Sequence, residues 1–185
     1  MLYTSKNHQS CTLLLLVGLK GSGKTWIGSV LEKHLAIQFL KIEPLFLELL
    51  CKKPVSTGID LEKKGFQIVL DRLNELAQNH KILCIESTGT AHTFPELLKT
   101  LQQSYHLIIV RIKAPLETCK ERVLARDSSV HIPVSDTRLA EINQRALQVD
   151  LPWDLEIDNS EFQAENTIIN AFQDLLPRNL NDTLC

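Results

Sequence analysis

The chain has 185 residues, a net charge of −2, 23% charged and 44% hydrophobic residues. That is an ordinary globular composition: it suits one domain of about 100 to 200 residues and argues against an extended basic surface for nucleic acid. The five cysteines, Cys11, Cys51, Cys84, Cys119 and Cys185, are widely spaced and form no CxxC pair. Reduced thiols and a cytoplasmic setting are therefore expected, not a disulfide framework or a zinc site. No apolar run is long enough to span a membrane and the first ten residues lack a signal-peptide core, so neither insertion nor export is expected.

Residues 1–10 read as a loose arm ahead of a domain spanning 11–176. The apolar run Leu13 to Val17 predicts the first strand, and an amphipathic helix follows with Trp26, Ile27, Val30, Leu31 and His34 on one face. His34 there is expected to pack, not to bind a ligand. Ala36 to Ile42 predicts strand two, ended by Glu43 and Pro44. Leu45 to Leu50 begins a helical segment that gives way near Pro54 to Gly58, and a longer helix runs from about Asp60 with Phe66, Val69, Leu70, Leu73, Leu76 and Ala77 inward. Lys81 to Ile85 is strand three, apolar enough to be covered on both faces, and it ends in Glu86-Ser87-Thr88-Gly89. A capped helix opens near Thr93, and Leu107 to Ile112 is strand four. Pro115 starts a helix with Leu116, Cys119, Val123 and Leu124 on one side and Arg122 and Arg126 on another. Residues 127–136 interrupt it as a loop, and Asp136 is expected to cap a further helix to about Val149. Asp154 to Asp158 is strand five, Glu161 to Leu176 the closing helix, and 177–185 a polar tail.

Five alternations of strand and helix imply an α/β fold: a five-stranded parallel sheet with helices on both faces and a short lid. Ligands bind such sheets at the carboxyl ends of the strands. Gly18 to Thr25, Glu43, Glu86 to Thr90 and Asp158 to Ser160 are therefore expected around one crevice.

Between strand one and its helix, Gly18-Leu19-Lys20-Gly21-Ser22-Gly23-Lys24-Thr25 spells GxxxxGK(S/T). Glycines let such a loop aim backbone N–H groups into one concavity at a positive helix end, a cradle for polyphosphate. Lys24 then reaches the β- and γ-phosphates, and the Thr25 hydroxyl ligates Mg²⁺. In an empty loop Lys24 is expected to be repelled rather than held. Phosphoryl transfer further needs cations over the developing charge and a positioned acceptor. Glu86, at a strand end, is a candidate for Mg²⁺ or for the acceptor, and Glu43 is a candidate general base, with Asp60 and Glu62 as alternatives. Arg122 and Arg126 precede the loop at 127–136 and suit a cover closing on the phosphates; Arg138 and Arg145 could serve instead, and His131 could touch substrate.

Across roughly residues 11–176 this pattern resembles the P-loop kinases of the nucleoside-monophosphate-kinase and shikimate-kinase-like group, on the phosphate loop, the arginine-bearing helix Pro115 to Arg126 and a fifth strand ending in Asp158-Asn159-Ser160. The resemblance implies a single-domain P-loop NTPase fold, use of ATP and Mg²⁺, and a lid arginine at Arg122 or Arg126. It puts the nucleotide base near Asp158 and Ser160 and the acceptor near Glu43 and Glu86. The chain departs from it in lacking a DGxP run after strand three, a DxD after strand two and a triple glycine after strand three. Arg72 is the one arginine between 44 and 80, too few for an acceptor that is itself a nucleotide phosphate. The expected function is transfer to a small-molecule hydroxyl by a monomer or homodimer. A regulatory ATPase without an acceptor is the alternative, and a nucleotide or polynucleotide kinase stands behind both.

Overall fold

The computed structural model describes residues 8–52, 58–126, 134–161 and 163–176. Elements follow in the order β1 (His8–Gly18), α1 (Lys24–His34), β2 (Gln38–Phe39), α2 (Ile42–Lys52), α3 (Ile59–Leu76), β3 (Ile82–Ser87), α4 (Phe94–Ser104), β4 (Tyr105–Lys113), α5 (Leu116–Leu124), α6 (Asp136–Leu147), β5 (Leu155–Asp158) and α7 (Glu165–Leu175). The strands form one sheet in the order β2-β3-β1-β4-β5, and every pairing is parallel. Here is the single-domain α/β fold that the alternation of strands and helices predicts.

β1 lies at the centre because its side chains can be buried on both faces. Leu13, Leu14, Leu15 and Leu16 are all fully buried. Successive strand residues point to opposite faces, and the two layers follow from that. Leu13, Leu15 and Val17 meet Val69, Leu70 and Leu73 of α3 and Leu97 and Leu101 of α4. Leu14 and Leu16 meet Ile27 and Leu31 of α1 and Ile168 and Phe172 of α7. Each such side chain contributes about 1.5–3 kcal/mol of burial, so the strand that delivers the phosphate loop is also the best anchored. Pairing Leu16 with Glu86 and Val17 with Ser87 on one side, and Gly18 with Ile112 on the other, aligns the strand ends at one edge of the sheet.

The structure departs from the predicted elements in six places. Strand two is two residues long, and Ile42 and Glu43 belong to α2. Pro44 stands in the first turn of that helix, where its missing N–H breaks no bond, so Glu43-Pro44 opens a helix instead of closing a strand. Leu124 is 61% exposed; one residue beyond Val123 it is turned about 100° away from the inward stripe. The cap of α6 is Ser135, whose hydroxyl accepts the Arg138 N–H, and Asp136 is instead a first-turn acid. Thr93 occupies the cap position of α4 without a side-chain cap bond, and the closing helix starts at Glu165. His34 does not pack inward: its Nε2 sits 2.6 Å from the Glu165 carboxylate. Residues 1–7, the predicted lid up to 133 with His131, and the tail at 177–185 lie outside the described residues. No described helix is long and apolar enough to cross a membrane.

Candidate active site

The loop between β1 and α1 is fixed from several sides. Gly21 and Gly23 both hold φ of +98°, a backbone conformation that other residues rarely adopt. At Gly21 a Cβ would also come within 2.1 Å of the Cys119 carbonyl oxygen of α5. Helix α5 therefore lies directly against the loop, and only glycine fits between them.

Lys24 is 7% exposed, and its ammonium donates to the carbonyls of Gly18 at 2.9 Å and Leu19 at 2.8 Å. This corrects the expectation of a repelled lysine: carbonyl dipoles of its own loop hold it. Burial pushes its pKa down from 10.5 to about 8; Glu86 and Cys119 pull it back up, while Arg126 and Lys20 depress it further.

The Thr25 hydroxyl lies 3.0 and 2.9 Å from the two carboxylate oxygens of Glu86. Two hard oxygen donors, one from the start of α1 and one from the end of β3, thus stand together beside Lys24. No cluster of three or more His, Cys, Asp or Glu suited to a metal is present among the described residues. A Thr–Glu pair alone fits Mg²⁺, which takes one or two protein oxygens and completes its shell with phosphate and water.

Lys24, Thr25 and Glu86 line a cavity of about 300 Å³ that also takes in Glu43, Glu62, Arg126, Arg138 and Arg145. Glu43 is held there by an ion pair with Lys20 at 3.2 Å, and Glu62 accepts from the Thr93 N–H and hydroxyl. Arg145 donates to the Thr90 carbonyl and Arg138 to Glu141. Glu43 and Glu86, which the strand-end rule expects around one crevice, line this cavity, whereas Asp158 and Ser160 do not. Arg122, Asp158 and Ser160 are on the other side of the loop, where Arg122 donates to the Asn159 and Ser160 carbonyls. The Ser160 hydroxyl and N–H hold the Asp158 carboxyl below its ordinary range. Arg122 and Arg126 therefore serve different neighbourhoods.

Sequence reasoning missed two asparagines. Asn143 of α6, 1% exposed, accepts from the Lys20 N–H at 2.8 Å and donates to the Lys20 carbonyl at 3.1 Å. Asn159, fully buried, donates to the Ser22 carbonyl at 2.7 Å. They clamp the phosphate loop from α6 and from the end of β5. Asn159 had a signal, its place after a strand that reaches the ligand edge; Asn143 had none, since a helical Asn usually reads as solvent-facing.

No family model matches the chain, and no curated protein matches it. Among solved structures it is similar to shikimate kinase from Acinetobacter baumannii in complex with shikimate, at 19% identity over 96% of this chain and 97% of that one, with a TM-score of 0.62. It is similar to the Mycobacterium tuberculosis APS kinase in complex with AMPPNP and APS, at 14% identity over 90% and 98%, TM-score 0.62. A gluconokinase from Sinorhizobium meliloti matches at 13% over 95% and 97%, TM-score 0.55. At these identities the likeness is one of fold, and the fold is that of the P-loop kinases of the shikimate-kinase-like group.

Proposed function

We propose that the chain is an ATP- and Mg²⁺-dependent phosphotransferase that moves the γ-phosphoryl group of ATP onto a hydroxyl of a small molecule. The observation behind this reading is the shared wall: Lys24, Thr25 and Glu86 line the same cavity as Glu43, Phe46 and Phe66, and Arg122, Asp158 and Ser160 are not part of its lining. A donor on the loop and an acceptor in that cavity would meet at one point. A regulatory ATPase has no use for the apolar wall of Phe46, Phe66 and Ile142 in that cavity.

Backbone N–H groups from Gly18 through Thr25, Leu19, Lys20, Ser22 and Gly23 included, cradle the phosphates at the N-terminus of α1. Lys24 supplies the charge that follows the transferred group, and Arg126 adds a second cation whose fork suits phosphate oxygens. Thr25 and Glu86 would hold the Mg²⁺, which would offset phosphate charge there. Glu43, fixed by Lys20, orients the acceptor hydroxyl and takes its proton. An ion-paired carboxylate is a weak base, but a loose phosphoryl transfer asks little of one. Arg122, Asp158 and Ser160 border the nucleotide's base and ribose. The setting is cytoplasmic, in line with free thiols at Cys11, Cys51, Cys84 and Cys119.

ADP release from MgATP, with and without pooled hydroxyl compounds and with Lys24→Ala as blank, tests the reading. Stimulation by a pool that vanishes in the variant is expected. Nucleotide binding with slow release that no pool raises would refute it in favour of the regulatory ATPase.

A further inference from the structure

Resting on the phosphotransferase reading, we propose that the acceptor is a compact alcohol with an apolar ring body, and not a polyol, sugar or nucleotide. Two independent features of the cavity carry this: the build of its wall and the state of its polar groups.

The wall is aromatic and set in place before any ligand arrives. Phe46 of α2 and Phe66 of α3 meet edge-on, centroids 5.9 Å apart at 76°. Phe46 is seated on Gly65, where a Cβ would come within 2.2 Å of its ring. A glycine inside an 18-residue helix weakens that helix, and here its bare backbone is the ring's resting place. Ile42, Leu97 and Ile142 line the same space, so an entering compound faces hydrocarbon on several sides. The 300 Å³ volume is at the low end of the range of about 300–1,000 Å³ for small-molecule sites, and part of it adjoins the transferred phosphoryl.

Several polar groups of this cavity already have a partner. The Ser87 hydroxyl accepts the Gly89 N–H at 3.0 Å, and the Thr88 and Thr90 hydroxyls bond each other at 2.8 Å. Glu62 is bound by Thr93, and Glu43 pairs with Lys20. A sugar or polyol would give up water at each hydroxyl and find few partners in exchange, and unpaired buried hydroxyls are costly. A nucleotide acceptor needs guanidinium groups for its own phosphate, yet of the three arginines in the lining Arg126 serves the ATP phosphates, Arg145 donates to the Thr90 carbonyl and Arg138 pairs with Glu141, and three carboxylates share the lining. One hydroxyl aimed at Glu43 on an otherwise apolar body meets none of these penalties.

Calorimetric titration of the full chain, saturated with MgAMPPNP, compares benzyl alcohol, 2-phenylethanol and cyclohexylmethanol with shikimate, D-gluconate, D-glucose and AMP. At least one ring alcohol should bind about tenfold more tightly than any of the other four. Phe46→Ala should weaken it about tenfold more, the size of a lost apolar contact, with MgAMPPNP affinity unchanged. Ile142→Ser, on another wall, gives the same readout if Phe46→Ala fails to fold. Binding of a polyol or AMP equal to the best ring alcohol overturns the proposal, as does no binding by any ring alcohol or indifference to both variants. Failure of MgAMPPNP itself to bind instead sinks the phosphotransferase reading.

Discussion

Nucleotide binding should be accompanied by uptake of a proton onto Lys24. In the nucleotide-free protein burial holds this lysine near a pKa of 8, well below its ordinary 10.5. Anionic phosphates against the ammonium restore the preference for charge, so in the bound state it is protonated at any pH below about 10. The expected uptake is then about 0.1 proton at pH 7, about 0.5 at pH 8 and about 0.9 at pH 9. Phosphate groups lose their last proton near pH 6, so the nucleotide adds little in that range. Calorimetric titration of AMPPNP with Mg²⁺ in buffers of different ionisation enthalpy counts the protons directly. Lys24→Arg keeps the charge on a side chain that does not deprotonate, and its uptake should be near zero throughout. A wild-type value that is flat from pH 7 to 9, or a net release, would refute the account of a charge strained by burial. The same shift has a sign for stability. Between pH 8 and 10.5 the unfolded chain keeps a proton that the nucleotide-free fold has lost, so the Lys24 contribution to stability rises with pH across that window and is at its least favourable below it.

Glu86→Gln should lower turnover by about 100-fold, the usual size for one charged group in a preorganised site, and raise the Mg²⁺ requirement; steady-state rates over a Mg²⁺ series check this, and a loss under about threefold would remove Glu86 from the mechanism. Asn143→Leu leaves both polar groups of the Lys20 peptide without their partner and should cost about 1–3 kcal/mol in urea unfolding, with a higher KM for MgATP; a cost below about 0.5 kcal/mol means the clamp is unimportant. Gly21→Ala meets a left-handed backbone penalty of about 1–2 kcal/mol as well as the Cys119 carbonyl, so Tm and MgATP binding should both fall, and retention of both would contradict the close approach of α5.

What the sequence made legible follows from which interactions are local. The phosphate loop, the fully apolar β1 and the strand-end position of Glu86 depend on neighbours in the chain, and the structure has them as expected. Glu43 reaches the same cavity from a different element: a proline that disfavours helix for the residue before it is also at home in a first turn, and sequence alone weighed the wrong effect. Leu124 shows the limit of reading a stripe by eye: about 100° beyond Val123, at the end of α5, it falls off the edge of the buried face. Asn143 was out of reach altogether. Its partner is 123 residues away, and only the completed fold brings the two together. The separation of Arg122 from Arg126 is local: α5 ends at Leu124, so Arg126, expected on that helix one turn from Arg122, stands in the turn beyond it.

The Asn143 clamp also bears on how such a protein can change its substrate over evolutionary time. Helix α6 carries Arg138 and Arg145 to the cavity, and through Asn143 it is fastened to the phosphate loop itself. A foreign α6 brought in by recombination would alter the proposed acceptor cavity, but without an asparagine in register it would also unfasten the loop proposed to bind ATP. The heritable unit is therefore the helix together with its fastening, and α2 has a fastening of its own kind, the ion pair of Glu43 with Lys20 of the same loop.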